Sequence, residues 1–440
     1  MNRLLFTLFT LLLAACSSDQ ERRAREIASS NVVVVVVDTL RADHLPLYGY
    51  AKDTAPFITA LGKRSIVFDR AFSACSSTGP AMASVFTSMY PSQHGFITGF
   101  FATKRLINAD PRVRISRIPS GIVTLGQRFK EAGFRTFGVS DNLNISAEQG
   151  FTKGFDRFVT YRYRGAPVVN HSVLEWKEEL LDRSKGRYFL YVHYMDPHVP
   201  YHKREPWYEE GRNRRESLVN AYDSEIRYAD EHIRLLFSEL DLERDSIVVF
   251  LADHGEEFGE HGRRGHGKAL YRESIHVPLF FYHQALQPRR VNEIVHTIDV
   301  LPTLASMLGW APDQTWVGQT LEPFWQAGMP RPDYQERALF SQLLRRPEQV
   351  EDAKEAVVHQ DHHLIVSTQK GQTPTEELFN LNDDFSESHN LAAEMPEVRR
   401  ALGAKFAELH DTARQVAAED VEIHLDREAI KSLKTLGYLE

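Results

Sequence analysis

The sequence predicts an α/β fold: a mixed, mostly parallel central sheet flanked by helices, with a smaller C-terminal α+β subdomain. Three observations carry this. Val32 to Val37 is an unbroken valine run, and far downstream Ser246-Ile247-Val248-Val249-Phe250-Leu251 is a second apolar run. Runs that are apolar at every position, rather than at alternate ones, fit strands buried on both faces, as in parallel sheets. Each run leads into polar residues that can bind a metal: Asp38 after the first, Asp253 and His254 after the second. Open α/β sheets place their sites at that carboxyl edge. Finally, helical and strand patterns alternate between the two runs, as βα units do.

In chain order, Pro56 to Leu61 is expected as a short helix, and a second helix is expected to open at Pro80, because proline suits a first helical turn. Residues 101–120 mix basic and apolar side chains without period and are expected as a loop. Helix Val123 to Glu131 should stop at Gly133, with strand Thr136 to Val139 after it. Helix Ser172 to Arg183 precedes strand Tyr188 to His193, and an amphipathic helix from about Glu216 to Leu240 leads into the strand before Asp253. Strand Val277 to Tyr282 and helix Leu301 to Leu308 complete a unit spanning residues 31–334. Past residue 335 the texture changes. Ala338 to Ser341, Ala356 to His359, His363 to Val366 and Glu377 to Asn380 are short strands with polar gaps, followed by helix Glu397 to Glu419. That pattern suits a small antiparallel sheet with terminal helices over residues 335–440.

With 42% hydrophobic and 25% charged residues the chain can bury a substantial core, which argues against wholesale disorder. Its formal charge of −8 argues against a nucleic-acid partner. Met1-Asn2-Arg3 and the apolar stretch Leu4 to Leu13, too short to span a bilayer, form a signal segment ending in Leu13-Ala14-Ala15-Cys16. This resembles a bacterial lipoprotein signal (residues 1–16) with Cys16 as the lipidated residue, followed by a polar tether over 17–30. The expected setting is the bacterial envelope. Ser17-Ser18 imply, by that resemblance, the outer membrane, with the lipid bilayer as a partner.

The polar residues at the strand ends sit in recognisable company. Asp38-Thr39-Leu40-Arg41-Ala42-Asp43-His44, Thr87-Ser88-Met89-Tyr90-Pro91, and Asp253-His254-Gly255-Glu256 with Gly265-His266-Gly267 occur in that order. Asp299-Val300-Leu301-Pro302-Thr303 and Glu377-Leu378-Phe379-Asn380 follow downstream. Together they resemble the sulfatase family of the alkaline phosphatase superfamily, over about residues 31–391. The resemblance implies an alkaline-phosphatase-like fold and a metal-dependent hydrolase acting on an anionic ester.

That family's nucleophile is a Cys in Cys-x-Pro-Ser-Arg, oxidised to formylglycine. Aligning on Thr87 and Tyr90-Pro91 puts Thr78 in the Cys position and Met82 in the Arg position, while Cys75 falls three residues early. The segment that holds the formylglycine hydroxyls is replaced by Ser140-Asp141-Asn142-Leu143. The chain therefore looks like a Thr-nucleophile branch, akin to lipoteichoic-acid synthases and phosphoethanolamine transferases. Residue by residue, that implies Asp38, Thr78, Asp253 and His254 as ligands of one divalent metal (Ca, Mn, Zn or Mg), with a second metal left open through Asp196, His198 or His266. His198, in Asp196-Pro197-His198-Val199-Pro200, is the expected general acid beside Thr78. His266, Lys268 and, more weakly, Asn142 are expected to bind the anionic group. A phosphodiester or phosphomonoester is favoured. A sulfuric ester hydrolase, a phosphoethanolamine- or phosphoglycerol-type transferase and a non-catalytic anion-binding lipoprotein are the alternatives.

Overall fold

The computed structural model describes residues 21–99, 114–326, 329, 336–344, 352–414 and 422–424. Cys16 and the signal segment lie outside the described residues. The strands in chain order are Asn31–Val37 (β1), Ile66–Phe72 (β2), Arg114–Ser116 (β3), Arg135–Ser140 (β4), Arg157–Thr160 (β5) and Tyr188–Tyr194 (β6). Ser246–Leu251 (β7), Glu257–Phe258 (β8), Arg264–Gly265 (β9), His276–Tyr282 (β10) and Arg289–His296 (β11) follow. Eight of them form one sheet in the order β11-β2-β10-β7-β1-β6-β4-β5. β1 pairs parallel with both β6 and β7, whereas β10 runs antiparallel to both of its neighbours, β7 and β2. Every other strand of the sheet points the same way, so one edge collects their carboxyl ends.

The valine run shows why an unbroken apolar sequence is needed. Val32, Val34 and Val36 face one core with Phe189, Tyr191, Met82, Val85 and Phe86, while Val33, Val35 and Val37 face another with Ile233, Leu236 and Phe237. A strand alternates its side chains, so helices on both faces require apolar residues at both parities. Helices Thr78–Thr87, Leu125–Glu131 and Val300–Met307 cover the first face; Pro56–Gly62, Ala166–Leu174 and Arg214–Leu240 cover the second.

Several boundaries differ from expectation, each for a local reason. Helix Thr78–Thr87 opens two residues before Pro80, because the amides of a first turn have no intrahelical acceptor and proline costs nothing there. The helix expected over 172–183 is two, Ala166–Leu174 and Lys177–Leu181, and the break between them buries Trp176 against Phe137 with ring centroids 5.5 Å apart. Within the expected loop over 101–120, β3 pairs antiparallel with Glu422–His424 (β16), a contact too distant in sequence to be legible as a pattern. The strands β2 and β11 carry Asp69-Arg70 and Arg289-Arg290 and escaped the apolar pattern.

The C-terminal subdomain is an antiparallel sheet of Ala338–Leu343 (β12), Asp352–His359 (β13), His362–Gln369 (β14) and Thr375–Asn380 (β15), with helix Pro396–Arg414 against it. Leu339, Ile365 and Phe379 pack with Phe72, Cys75, Leu270 and Ile294 of the main unit. Buried Asp299 accepts two hydrogen bonds of 2.7 Å from the Arg337 guanidinium, one to each oxygen. The subdomain also grips the turn after β2, where Ser341 Oγ donates to the Ser73 carbonyl at 2.7 Å and Gln342 N to that of Ala74 at 2.8 Å. That turn delivers Thr78.

Candidate active site

Five segments converge at the carboxyl edge. Asp38 follows β1, Asn142 follows β4, His193 ends β6, Asp253 and His254 follow β7, and Thr78 heads the helix entered from β2. All six side chains are buried. Asp38 keeps the parity of Val32, Val34 and Val36, so it emerges on the face that helix Thr78–Thr87 covers.

Thr78 Oγ1 lies 3.2 Å from His254 Nε2, 3.3 Å from Asn142 Nδ2 and 3.5 Å from Asp38 Oδ2. Asp38 Oδ2 also accepts from Asn142 Nδ2 at 2.6 Å and sits 3.0 Å from His193 Nε2. Asp253 Oδ1 accepts the backbone amides of Thr39 at 3.0 Å and His254 at 2.8 Å. The ring of His254 is held by Nδ1 against the Gly255 carbonyl at 2.9 Å, which leaves Nε2 as a lone-pair donor. Gly255 is required here, because a Cβ would lie 2.0 Å from the Glu273 carbonyl oxygen.

The second oxygens define the chemistry. Asp38 Oδ1 and Asp253 Oδ2 are buried without a hydrogen-bond partner, and Asp253 Oδ2 lies 3.3 Å from His254 Nε2. Unsatisfied buried carboxylate oxygens facing an imidazole lone pair repel one another unless a cation lies between them. Atoms of Asp38, His193 and Asp253 come within 4.8 Å of one another, and among the described residues no other metal-competent group of this kind forms. The donor set of carboxylate, carboxylate, imidazole and hydroxyl fits a divalent metal. Burial works against ionising Asp38, but the His193 hydrogen bond and the nearby His198 and His254 outweigh it and hold the carboxyl well below its usual range. Asp253 moves the other way, raised by burial and then by Asp38.

His193 was not singled out from sequence. Tyr191 Oη lies 2.8 Å from its Nδ1, so a Tyr191-His193-Asp38 chain fixes the carboxylate. The available signal was parity: His193 pairs with Val36 and continues the inward face of Phe189 and Tyr191.

The expected anion-handling residues separate into two groups. His266 is at the site, with its ring 4.6 Å from that of His254 and 4.8 Å from that of His198, and Nδ1 3.1 Å from Glu256 Oε1. Burial opposes its protonation, yet the buried Glu256 carboxylate prevails and lifts it to about 9. His198 is pushed down to about 4 by burial, with Asp38 only partly offsetting this, and its Nδ1 faces the Val199 carbonyl at 2.7 Å and the Tyr163 hydroxyl. Protonation is thus disfavoured on His198 and favoured on His266. Lys268 is exposed, with Nζ donating to the Arg264 carbonyl at 2.8 Å. Of the residues considered for a second metal, His198 and His266 lie side by side, while Asp196 is held elsewhere. Asp196 Oδ1 accepts the Ala166 amide at 3.1 Å and lies 3.9 Å from Arg204, away from His198 and His266 in its contacts. Cys75 packs among Phe72, Ala81 and Leu270 rather than in the site.

The sulfatase family pattern matches residues 30–310. The chain is 24% identical over 314 residues to the ulvan-active sulfatase of Formosa agariphila, covering 59% of this chain and 58% of that one. It is 24% identical over 401 residues to the multifunctional alkaline phosphatase superfamily protein PehA of Trinickia caryophylli, covering 67% and 77%. The matches span 33% to 58% of the length of the first curated relatives. Among solved structures, the phosphonate monoester hydrolase of Agrobacterium radiobacter superposes with a TM-score of 0.68 at 16% identity, covering 90% of this chain and 99% of that one. With an alkaline-phosphatase-like sheet, a buried Asp-His-Asp group at its carboxyl edge and a family match over most of the main unit, this chain belongs to the sulfatase family.

Proposed function

We propose that the chain is a metal-dependent ester hydrolase in which Thr78 is the nucleophile and phosphate mono- or diesters are preferred to sulfate esters. The observation that carries this reading is Thr78 Oγ1 itself, buried within 3.5 Å of Asp38, Asn142 and His254 at the head of a helix. Asp38, Asp253, His254 and the Thr78 hydroxyl would hold the cation. When bound, a divalent metal lowers the pKa of such a hydroxyl and offsets charge on the ester.

The residues of the chain then divide the remaining work. The open amides of the first turn of helix Thr78–Thr87 favour an incoming anion. Asn142 and the cationic His266 add donors around it. Thr78 Oγ1, its proton released to solvent, forms a bond to phosphorus as the ester oxygen departs and takes a proton from His266. Water then attacks the Thr78 phosphoester, returning one proton to His266 and leaving its hydroxyl on phosphorus, while the Thr78 oxygen departs in the ionised form in which it began.

Phosphorus is preferred because threonine carries a single oxygen on its Cβ. The family's geminal diol expels sulfate by collapsing to an aldehyde; a threonine ester has no such exit and requires attack at the central atom. Relatives named as sulfatases and as a phosphonate monoester hydrolase support a fold that carries both chemistries.

The test is turnover of p-nitrophenyl phosphate, bis-p-nitrophenyl phosphate and p-nitrophenyl sulfate with added Mn²⁺, Zn²⁺ or Ca²⁺. Thr78→Ala should lower kcat by at least about a thousandfold, as loss of a nucleophile does. A variant as active as the parent, or a sulfate ester turned over faster than both phosphates, would overturn the reading. We further propose export and lipid anchoring through Cys16. No helix among the described residues is long and apolar enough to cross a membrane. Palmitate labelling in a bacterial host should vanish in Cys16→Ala; labelling that persists would remove the anchor from the proposal.

A further inference from the structure

A cavity of about 330 Å³ opens where the main unit meets the C-terminal subdomain, lined among others by Asp43, Asp69, Arg70, Arg272, Arg290 and Phe385. Its volume is at the low end of ligand-sized pockets, which run from about 300 to 1,000 Å³. Its charges are unevenly matched. Asp43 is held by two hydrogen bonds from the buried Arg41 guanidinium, 2.9 and 2.7 Å long. Asp69 is paired with Arg290, and Arg70 with Asp361 at 2.9 Å. Arg272 has no such partner. Among the described residues its guanidinium forms no ion pair. Its Nη1 makes one long hydrogen bond, 3.4 Å, to the Leu381 carbonyl, and its Nε is buried with no acceptor at all.

The Asp43 and Glu387 carboxylates act on Arg272 only from beyond contact distance. A guanidinium withdrawn from water with no carboxylate in contact is costly, and its planar fork is shaped to bind an oxyanion through two parallel hydrogen bonds. The carboxylate of Glu387, which could have supplied that charge, is spent on the Arg272 backbone amide at 2.6 Å and on His363 Nδ1 at 2.6 Å. The Arg272 head lies 3.5 Å from the centroid of Phe385, and that ring is 52% exposed. A cation beside an exposed aromatic ring at the mouth of a cavity can take both the charged and the apolar side of one small molecule.

We propose that this junction cavity is an anion-binding site, separate from the Thr78 site, in which Arg272 receives a sulfate or carboxylate group. The group can come from a free inorganic anion or from a monosaccharide-sized molecule that carries it, whose ring would lie along Phe385. The site does not depend on the chemistry proposed for Thr78.

Two measurements on the full chain test it. Selenate, an isostere of sulfate with an anomalous signal, is diffused into crystals, and a peak is expected between Arg272 and Phe385. Isothermal titration at constant ionic strength then compares sulfate with D-glucuronate. Arg272→Gln should weaken binding of both by about tenfold or more, and Arg272→Lys, which keeps the charge without the fork, by less. Phe385→Ala distinguishes the sources: weakening of glucuronate alone identifies a ring-bearing ligand, and no change for either identifies a free anion. If Arg272→Gln does not fold, Arg272→Lys and the selenate map carry the test. A selenate peak only beside Thr78, or anion binding unaltered in both Arg272 variants, would overturn the proposal, as would no binding of either anion to the parent.

Discussion

Asp253→Asn offers a sharp test of the metal site, because it should stabilise the metal-free protein and destabilise the metal-loaded one. The substitution is nearly isosteric. Oδ1 of the new side chain still accepts the Thr39 and His254 amides, which Asp253 receives at 3.0 and 2.8 Å. Its Nδ2 replaces Oδ2, the oxygen now buried without a partner and 3.3 Å from His254 Nε2, and there it can donate. Two carboxylates with ligand atoms within 4.8 Å of each other repel by about 3 kcal/mol at an effective dielectric constant near 20. In chelator, Asp253→Asn should therefore gain about 1–3 kcal/mol in urea denaturation. With metal at about a thousandfold its Kd the parent should gain about 4.1 kcal/mol and the variant far less, so the order of stability reverses.

The pH dependence has a definite sign. Burial and the neighbouring Asp38 raise Asp253 in the folded state, so its contribution is fully present at low pH and is lost as pH rises through the raised titration. The chelated parent should lose stability over that window and Asp253→Asn should not. A parent whose melting is indifferent to chelator and to metal, or a chelated variant weaker than the chelated parent, would refute the reasoning.

Three further outcomes follow from buried polar residues. His193→Gln loosens the hold on Asp38 Oδ2, now 3.0 Å from the imidazole, and should cost about 10- to 100-fold in metal affinity or turnover. Tyr191→Phe should cost less, since it removes only the hydroxyl beside His193 Nδ1; metal titrations matching the parent in both variants would remove the positioning role. Burial lifts Asp196 to about 7 while Oδ2 has no partner, so its contribution is present below about pH 4 and lost as pH rises through about 7. Asp196→Asn keeps an acceptor for the Ala166 amide and should gain about 3–4 kcal/mol more at pH near 8 than at pH near 4, which denaturation at the two pH values checks.

By itself the sequence determined the sheet and its chemical edge. Six consecutive valines admit no amphipathic alternative, so β1 had to be buried on both faces, and Asp38 had to emerge where a parallel sheet ends. The family motifs then gave the Thr78, Asp253 and His254 positions by register alone. What the sequence could not carry was anything decided between strands. His193 counts only because β6 pairs in register with β1, which sets its imidazole against Asp38. Lys268 and His266 lie two residues apart in one glycine-containing loop, and only the course of that backbone turns one ring toward His254 and leaves the ammonium on the Arg264 carbonyl. The direct contact of the buried Glu256 Oε1 is with His266 Nδ1 at 3.1 Å, and it is this pairing that favours a proton there. Local pattern reports which side chains are apolar and where a strand ends. Pairing, burial and charge neighbours are properties of segments far apart in the chain, and they exist only once it is folded.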